Sequence, residues 1–268
     1  MIQRNFREDH VAGYDRRFTV GTATVEVYPT KAAGGAAAAG QAAGIMRAAL
    51  AQKGRARIII GTGNSQDEMI RALVVEPDLD WKRITVFHMD EYIGLPMTHP
   101  ASFRGWLKRF VADVVHPGAV YYLNGEAPDL PAECRRYAEL LDEAEIDICF
   151  IGFGENGHIA FNDPHVADFD APRPIKAVEM DERCRMQQVG EGHFGTLADV
   201  PRRALSLSCP RLVSAENLIC VVPEARKAEA VARAVTGPLS TECPATLVFT
   251  HPHCTVYLDR DSASRLES

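Results

Sequence analysis

The sequence predicts an α/β fold: a mostly parallel central sheet covered by helices on both faces. Short apolar runs rich in β-formers, such as those at 57–60 and 147–151, alternate along the chain with longer helix-compatible stretches. Two of these runs end in glycine-rich turns, at 61–65 and 152–157. Open α/β sheets bind their ligands beyond the carboxyl ends of such strands.

Residues 1 to about 20 are polar and aperiodic and read as an extended N-terminal arm. Residues 23–28 (ATVEVY) alternate apolar and polar, the pattern of a strand with one covered face. The alanine-rich stretch from about 30 to 52 favours helix, although Gly34, Gly35, Gly40 and Gly44 interrupt it. Each glycine weakens a helix by roughly 1 kcal/mol relative to alanine. They mark either close packing against the sheet or a late helix start.

The run RIII at 57–60 leads into Gly61-Thr62-Gly63-Asn64-Ser65 and then an amphipathic stretch with Met69, Ile70 and Leu73 on one side. Asp67 and Glu68 in its first turn suit the positive end of a helix dipole. Strand, glycine turn and helix form a layout whose backbone N–H groups cradle phosphate. The same glycines also serve a tight βα turn with no ligand.

A β run at 84–88 passes directly into Met89-Asp90-Glu91-Tyr92. Adjacent carboxylates point in different directions, so one is expected to face the crevice while the other pairs with a cation or caps a backbone group. Residues 102–111 and 132–144 read as helices, the second with Cys134, Tyr137, Leu140 and Leu141 inward. A polar, proline-containing loop at 165–174 follows the glycine-rich stretch, and a further strand is expected at 175–180. Short apolar runs at 204–208, 218–222, 244–249 and 255–258 continue the pattern, with a helical turn at 210–214 and a clear helix at 224–235. Arg226 and Lys227 near the start of that helix oppose its dipole, which points to a ligand or partner. No linker divides the chain and no repeat appears, so 1–268 is read as a single domain.

The chain of 268 residues is long enough for a substantial core. Its 46% hydrophobic and 24% charged content is ordinary for a soluble protein. A net charge of −7 argues against a nucleic-acid partner, since phosphate backbones select basic faces. It leaves room for a small phosphorylated ligand, which needs only a few local cations and a helix start. No membrane partner is expected: the Ala/Gly stretch at 32–43 is too interrupted to span a bilayer, and the charged N-terminus lacks the apolar core of a signal peptide. Seven cysteines without a CxxC pair indicate reduced thiols in a cytoplasmic protein. His251-Pro252-His253-Cys254 lacks a second ligand cluster, so these residues are expected to pack or pair locally and no metal site is assigned.

Gly152-Phe153-Gly154-Glu155-Asn156-Gly157 satisfies the GxGxxG dinucleotide pattern. The third glycine, however, opens no amphipathic helix, because His158-Ile159-Ala160-Phe161-Asn162-Asp163-Pro164 ends in a turn. Nor does an obvious acidic residue end a strand about 20 residues later. A nicotinamide cofactor is therefore disfavoured.

Four blocks occur in order: Gly61 to Ser65, Phe87-His88-Met89-Asp90-Glu91-Tyr92-Ile93-Gly94-Leu95-Pro96, Gly152 to Pro164, and a last one through Glu216-Asn217-Leu218-Ile219, Arg226-Lys227-Ala228, Gly237-Pro238 and Pro244-Ala245. Through these the chain, from about 25 to 263, resembles the glucosamine-6-phosphate deaminase/isomerase family. The resemblance implies a Rossmann-like three-layer α/β/α fold without a bound cofactor. It also implies an amino sugar phosphate as the small-molecule substrate, converted from glucosamine 6-phosphate to fructose 6-phosphate and ammonia. The family includes monomers and hexamers, so a homo-oligomer is left open.

By match to the family's blocks, Asp90 is the carboxylate that moves protons at C2 and C1, and His158 shuttles the ring-oxygen proton, with Asp163 as its acidic partner. Thr62, Gly63, Asn64, Ser65, Arg183 and Lys227 fall on the phosphate-binding positions, with Glu91, Gly154 and Gly157 in the pocket. The enterobacterial pattern has Asp at the position of Asn156 and Glu at that of Asp163. Asn156 retains hydrogen bonding without a titratable proton, and Asp163 is shorter by one methylene. These departures imply a rearranged triad or a different epimer such as galactosamine 6-phosphate. The loop residues that bind the enterobacterial allosteric activator find no match around 166–174, so that activation is not expected. The rival readings are a 6-phosphogluconolactonase, whose glycine-histidine block does not continue as Ala-Phe-Asn-Asp/Glu-Pro, and a non-catalytic sugar-phosphate sensor.

Overall fold

The computed structural model describes residues 4–5 and 13–266. Twelve strands are present among these: β1 (Arg4–Asn5), β2 (Arg16–Val20), β3 (Ala23–Tyr28), β4 (Ala56–Ile60), β5 (Ile84–His88), β6 (Asp90–Tyr92), β7 (Ala119–Val120), β8 (Ile148–Ile151), β9 (Ile175–Glu179), β10 (Arg203–Leu207), β11 (Asn217–Val222) and β12 (Cys254–Asp259). The helices are α1 (Lys31–Lys53), α2 (Asp67–Leu73), α3 (Phe103–Leu107), α4 (Asp113–Val115), α5 (Leu130–Asp142), α6 (Glu182–Gly190), α7 (Cys209–Leu212) and α8 (Ala228–Thr236).

The main sheet runs β1-β2-β3-β12-β11-β8-β4-β5-β7. From β3 to β7 every neighbouring pair is parallel. Alternate residues of its strands feed two cores on opposite faces. Ile59, Cys149, Ile151, Cys220 and Val256 belong to one, which also holds residues of α5 and α8. Ile58, Ile60, Ile148, Phe150, Ile219 and Tyr257 belong to the other, with α1 and α2. Burial on both faces is why β4 and β8 read as continuous apolar runs. The mostly parallel, doubly covered sheet is the architecture expected from the sequence.

Several elements differ from expectation. The expected N-terminal arm lies partly outside the described residues, but its segment Arg16–Val20 is a strand paired antiparallel with β3. Helix α1 begins at Lys31, capped by Thr30 Oγ1 accepting from the Ala33 N–H at 3.2 Å, so a late start is excluded. Gly35 is a close-packing position: a Cβ there would lie 2.9 Å from the Met69 N of α2. Gly40 and Gly44 meet nothing within 4 Å.

A second, antiparallel sheet, β6-β10-β9, is new. Only Met89 separates β5 of the first sheet from β6 of the second, so Asp90 sits where the chain changes sheets. Tyr92, Phe103, Phe161 and Phe194 form much of the core beneath this small sheet. All seven cysteines are free thiols. His251 Nδ1 accepts from the His253 N–H, the local pairing expected for residues 251–254, and its Nε2 lies 3.0 Å from the Ala215 carbonyl. No helix among the described residues is long and apolar enough to cross a membrane.

Candidate active site

The strand order reverses between β4 and β8, and the glycine turns that follow these two strands meet there. The Gly61 N–H donates to the Phe150 carbonyl at 3.0 Å, holding the two strand ends together. The crevice above them is lined by Gly61 to Ser65, Met89, Asp90, Gly152 to Gly154, His158, Phe161, residues of α6 and Lys227. This is the topological switch point at which open α/β sheets take ligands.

His158 is positioned from both sides. Its ring lies flat on Gly154, where an added Cβ would sit 2.1 to 2.3 Å from three ring atoms. Behind it, Nδ1 lies 2.7 Å from Asn156 Oδ1 and 3.1 Å from Asp163 Oδ1. Asn156 Nδ2 donates to Asp163 Oδ1 at 2.9 Å and to Asp181 Oδ2 at 2.8 Å. Since both carboxylates accept, the amide oxygen faces His158, and the ring proton resides on Nδ1. Nε2 is thereby left with its lone pair for the crevice. Burial pushes the Asp163 carboxyl up, but the His158 ring and Asn156 hold it down to about 2.

Asp90 lines the crevice from the junction of the two sheets. Burial and the neighbouring Glu91 push its carboxyl well above the usual aspartate range. A carboxylate displaced in that direction is suited to take and return protons. Its backbone is fixed by His88, whose Nδ1 lies 2.9 Å from the Asp90 carbonyl and whose Nε2 accepts from the Leu123 N–H at 2.8 Å.

Glu91 points the other way and does not line the crevice. Fully buried, it accepts from Ser102 Oγ at 2.8 Å, the Arg104 N–H at 2.9 Å and Arg104 Nε at 3.0 Å. It therefore secures the N-terminal turn of α3 and neutralises a buried arginine. The two adjacent carboxylates divide their work, one in the crevice and one in the frame.

Of the phosphate-binding candidates, Thr62, Gly63, Asn64, Ser65 and Lys227 all line the crevice. Thr62 Oγ1 is buried without a protein partner. Asn64 Nδ2 donates to the Glu191 carbonyl at 3.1 Å, tying the turn to the end of α6. Arg183 lies elsewhere: it stands on the outward side of the first turn of α6, away from the buried Cys184, and its half-exposed guanidinium faces Glu229 at 3.7 Å. Gly157, with φ +88°, packs on Cys243 behind the crevice rather than lining it. Asn156 and Asp163 likewise stand behind His158.

Gln187, Gln188, Glu191 and His193 line the crevice but carried no motif. They come from α6 and the turn after it, and only their proximity in the fold to Lys227 and the 62–65 turn brings them into the site.

A doubly covered parallel sheet with a histidine, a buried carboxyl and a glycine-rich turn at its switch point has the makings of an α/β enzyme site. Residues 29–257 match the family described as glucosamine-6-phosphate isomerases/6-phosphogluconolactonase, and the chain belongs to that family. It is 35% identical to a glucosamine-6-phosphate deaminase of Listeria monocytogenes serotype 4a (strain HCC23), over 77% of this chain and 86% of the relative. It is 33% identical to one of Arthrobacter sp. (strain FB24), over 84% and 87% respectively. A solved monomeric glucosamine-6-phosphate deaminase superposes with a TM-score of 0.81 at 29% identity, covering 90% of this chain and 98% of that one. A 6-phosphogluconolactonase of Trypanosoma brucei superposes at 0.75 with 15% identity, covering 98% of this chain and 100% of that one, a likeness of fold alone.

Proposed function

We propose that this protein converts glucosamine 6-phosphate to fructose 6-phosphate and ammonia. The observation that carries the reading is the meeting of Asp90 and a tautomer-fixed His158 in the crevice floored by residues 61–65. The names of the relatives support it, as does the continuation of the histidine block through Ala160-Phe161-Asn162-Asp163-Pro164.

His158 Nε2, with its lone pair free and the ring held by Asn156 and Asp163, takes the proton of the anomeric hydroxyl and delivers it to the ring oxygen as the sugar opens. Asp90 then removes the C2 proton and returns one to C1, which leaves a hydroxyl on C1 and an iminium at C2; water adds to C2 and ammonia leaves, giving the C2 carbonyl of fructose 6-phosphate. Burial shields this transfer from bulk water, and the His88 contact to the Asp90 carbonyl fixes the backbone that carries the carboxyl. Thr62 Oγ1, the turn at 63–65 and Lys227 take the phosphate, while Arg183 has no part in it. The reaction as written needs no cofactor. Asp163 reaches His158 despite its shorter side chain, and Asn156 fills the remaining space with hydrogen bonds.

The whole chain acts as one domain, and its seven free thiols support a cytoplasmic location. The test is incubation of the pure protein with glucosamine 6-phosphate, galactosamine 6-phosphate and 6-phosphogluconolactone in parallel. Ammonia and fructose 6-phosphate appear from the first. Lactone hydrolysis without ammonia release would contradict the assignment.

A further inference from the structure

The anion end of the crevice contains a carboxylate that the deaminase reading does not use. Among the described residues lining the crevice, Lys227 is the only lysine or arginine. Its Nζ lies 3.2 Å from Glu191 Oε1, with the two side chains only 5% and 10% exposed. The same Oε1 accepts from Gln187 Nε2 at 2.8 Å, which fixes the carboxylate on α6. Glu191 Oε2 faces His193 Nε2 at 3.4 Å, and that nitrogen is buried without a completed hydrogen bond. Burial pushes the Glu191 carboxyl up, but His193 and Lys227 prevail and hold it down to about 2, so it is ionised at neutral pH.

A phosphate brought to Lys227 therefore meets a fixed negative charge already seated on the same ammonium. Inside a low-dielectric crevice, a like charge at this range opposes a dianion strongly. A site shaped only for dianion affinity would place a second cation there. This one places a neutralised pair, and leaves much of the anion binding to uncharged donors such as Thr62 Oγ1 and the 62–65 turn.

We propose that Glu191 is a specificity-determining residue: by offsetting the charge of Lys227, it makes the crevice depend on contacts along the whole sugar phosphate and reject inorganic phosphate and other small polyanions. The proposal rests on the reading of this crevice as an amino-sugar-phosphate site.

The test compares wild type, Glu191→Gln, Lys227→Met and the double variant for the Kd of inorganic phosphate by calorimetry and the KM for glucosamine 6-phosphate. Glu191→Gln binds inorganic phosphate about tenfold more tightly, and its KM for the sugar phosphate falls by a smaller factor. Lys227→Met leaves the Glu191 charge without its lysine and weakens phosphate, while the double variant recovers at least about fivefold relative to Lys227→Met. A merely structural Glu191 gives no such recovery. Weaker phosphate binding by Glu191→Gln, or a double variant no better than Lys227→Met, overturns the proposal. If wild type turns over glucosamine 6-phosphate and Glu191→Gln fails to tighten phosphate, the charge-balance inference falls and the deaminase reading stands. If wild type turns over neither amino sugar epimer yet Glu191→Gln tightens phosphate, the deaminase reading falls and the charge balance stands.

Discussion

Asn156 Oδ1 lies 2.7 Å from His158 Nδ1, while the same side chain's Nδ2 donates to two carboxylates, Asp163 and Asp181. One uncharged amide thus sets the tautomer of the histidine and separates two acids. Replacing it with alanine leaves Asp163 and Asp181 with one fewer donor each. Asn156→Ala is expected to lower kcat by about ten- to a hundredfold through loss of His158 orientation. It also costs about 1–3 kcal/mol of stability through the buried groups left unpaired. Steady-state kinetics and urea titration of the same preparation measure both.

Gly154 allows the His158 ring to lie against the backbone, and a methyl group would overlap it. Gly154→Ala is expected to displace the ring and lower kcat by about a hundredfold, the order lost when a general acid–base is misplaced. Circular dichroism should show an unchanged fold. Full activity in this variant would remove His158 from the proposed chemistry.

Burial and Glu91 raise the Asp90 carboxyl. A base with a raised pKa is protonated, and inactive, over more of the acid range. The acid limb of kcat/KM is therefore expected to turn down well above the ordinary aspartate value of about 3.9. A profile flat down to about pH 4 would show that Asp90 is not the group being titrated.

His88 contributes to the pH dependence of stability. Burial outweighs its hydrogen bond to Asp90 and holds the imidazole down to about 3 in the fold. In the unfolded chain it titrates near 6.5, so between these values the unfolded state binds the extra proton. Stability is then lost as pH falls from about 6.5 toward 3, by about 2 kcal/mol on reaching pH 5.0. Denaturant unfolding at pH 7.0 and 5.0 measures it, and His88→Gln should remove that share of the slope.

Periodicity made the main sheet legible, because strands buried on both faces write continuous apolar runs such as those of β4 and β8. The small sheet was not legible: β6 is three residues long and follows β5 after a single residue, so no local signal separates them. Helix α6 was hidden for a related reason. Its buried residues include Gln187 and Gln188, polar side chains that serve the crevice rather than a hydrophobic stripe.

His158 stood out through the glycine turn before it, whereas Asp90 was assigned by its match to the family's block, since an Asp-Glu pair after a strand is by itself more often solvated than catalytic. Asp90 and Glu91 divided as adjacent carboxylates must, one toward the crevice and one toward Arg104. Glu191 and His193 carried no such signature, since their role comes from a long-range approach to Lys227. Arg183 shows the converse: a plausible local match whose helix turns it away from the crevice.

The central claim is that Asp90 moves the proton that commits an amino sugar phosphate to deamination. The most direct measurement is ammonia and fructose 6-phosphate release from glucosamine 6-phosphate by wild type and Asp90→Asn, with substrate binding to the variant followed by calorimetry. Ammonia from wild type, together with near-native binding and no turnover in Asp90→Asn, is the predicted result. Turnover retained by Asp90→Asn, or no ammonia from wild type, would contradict it.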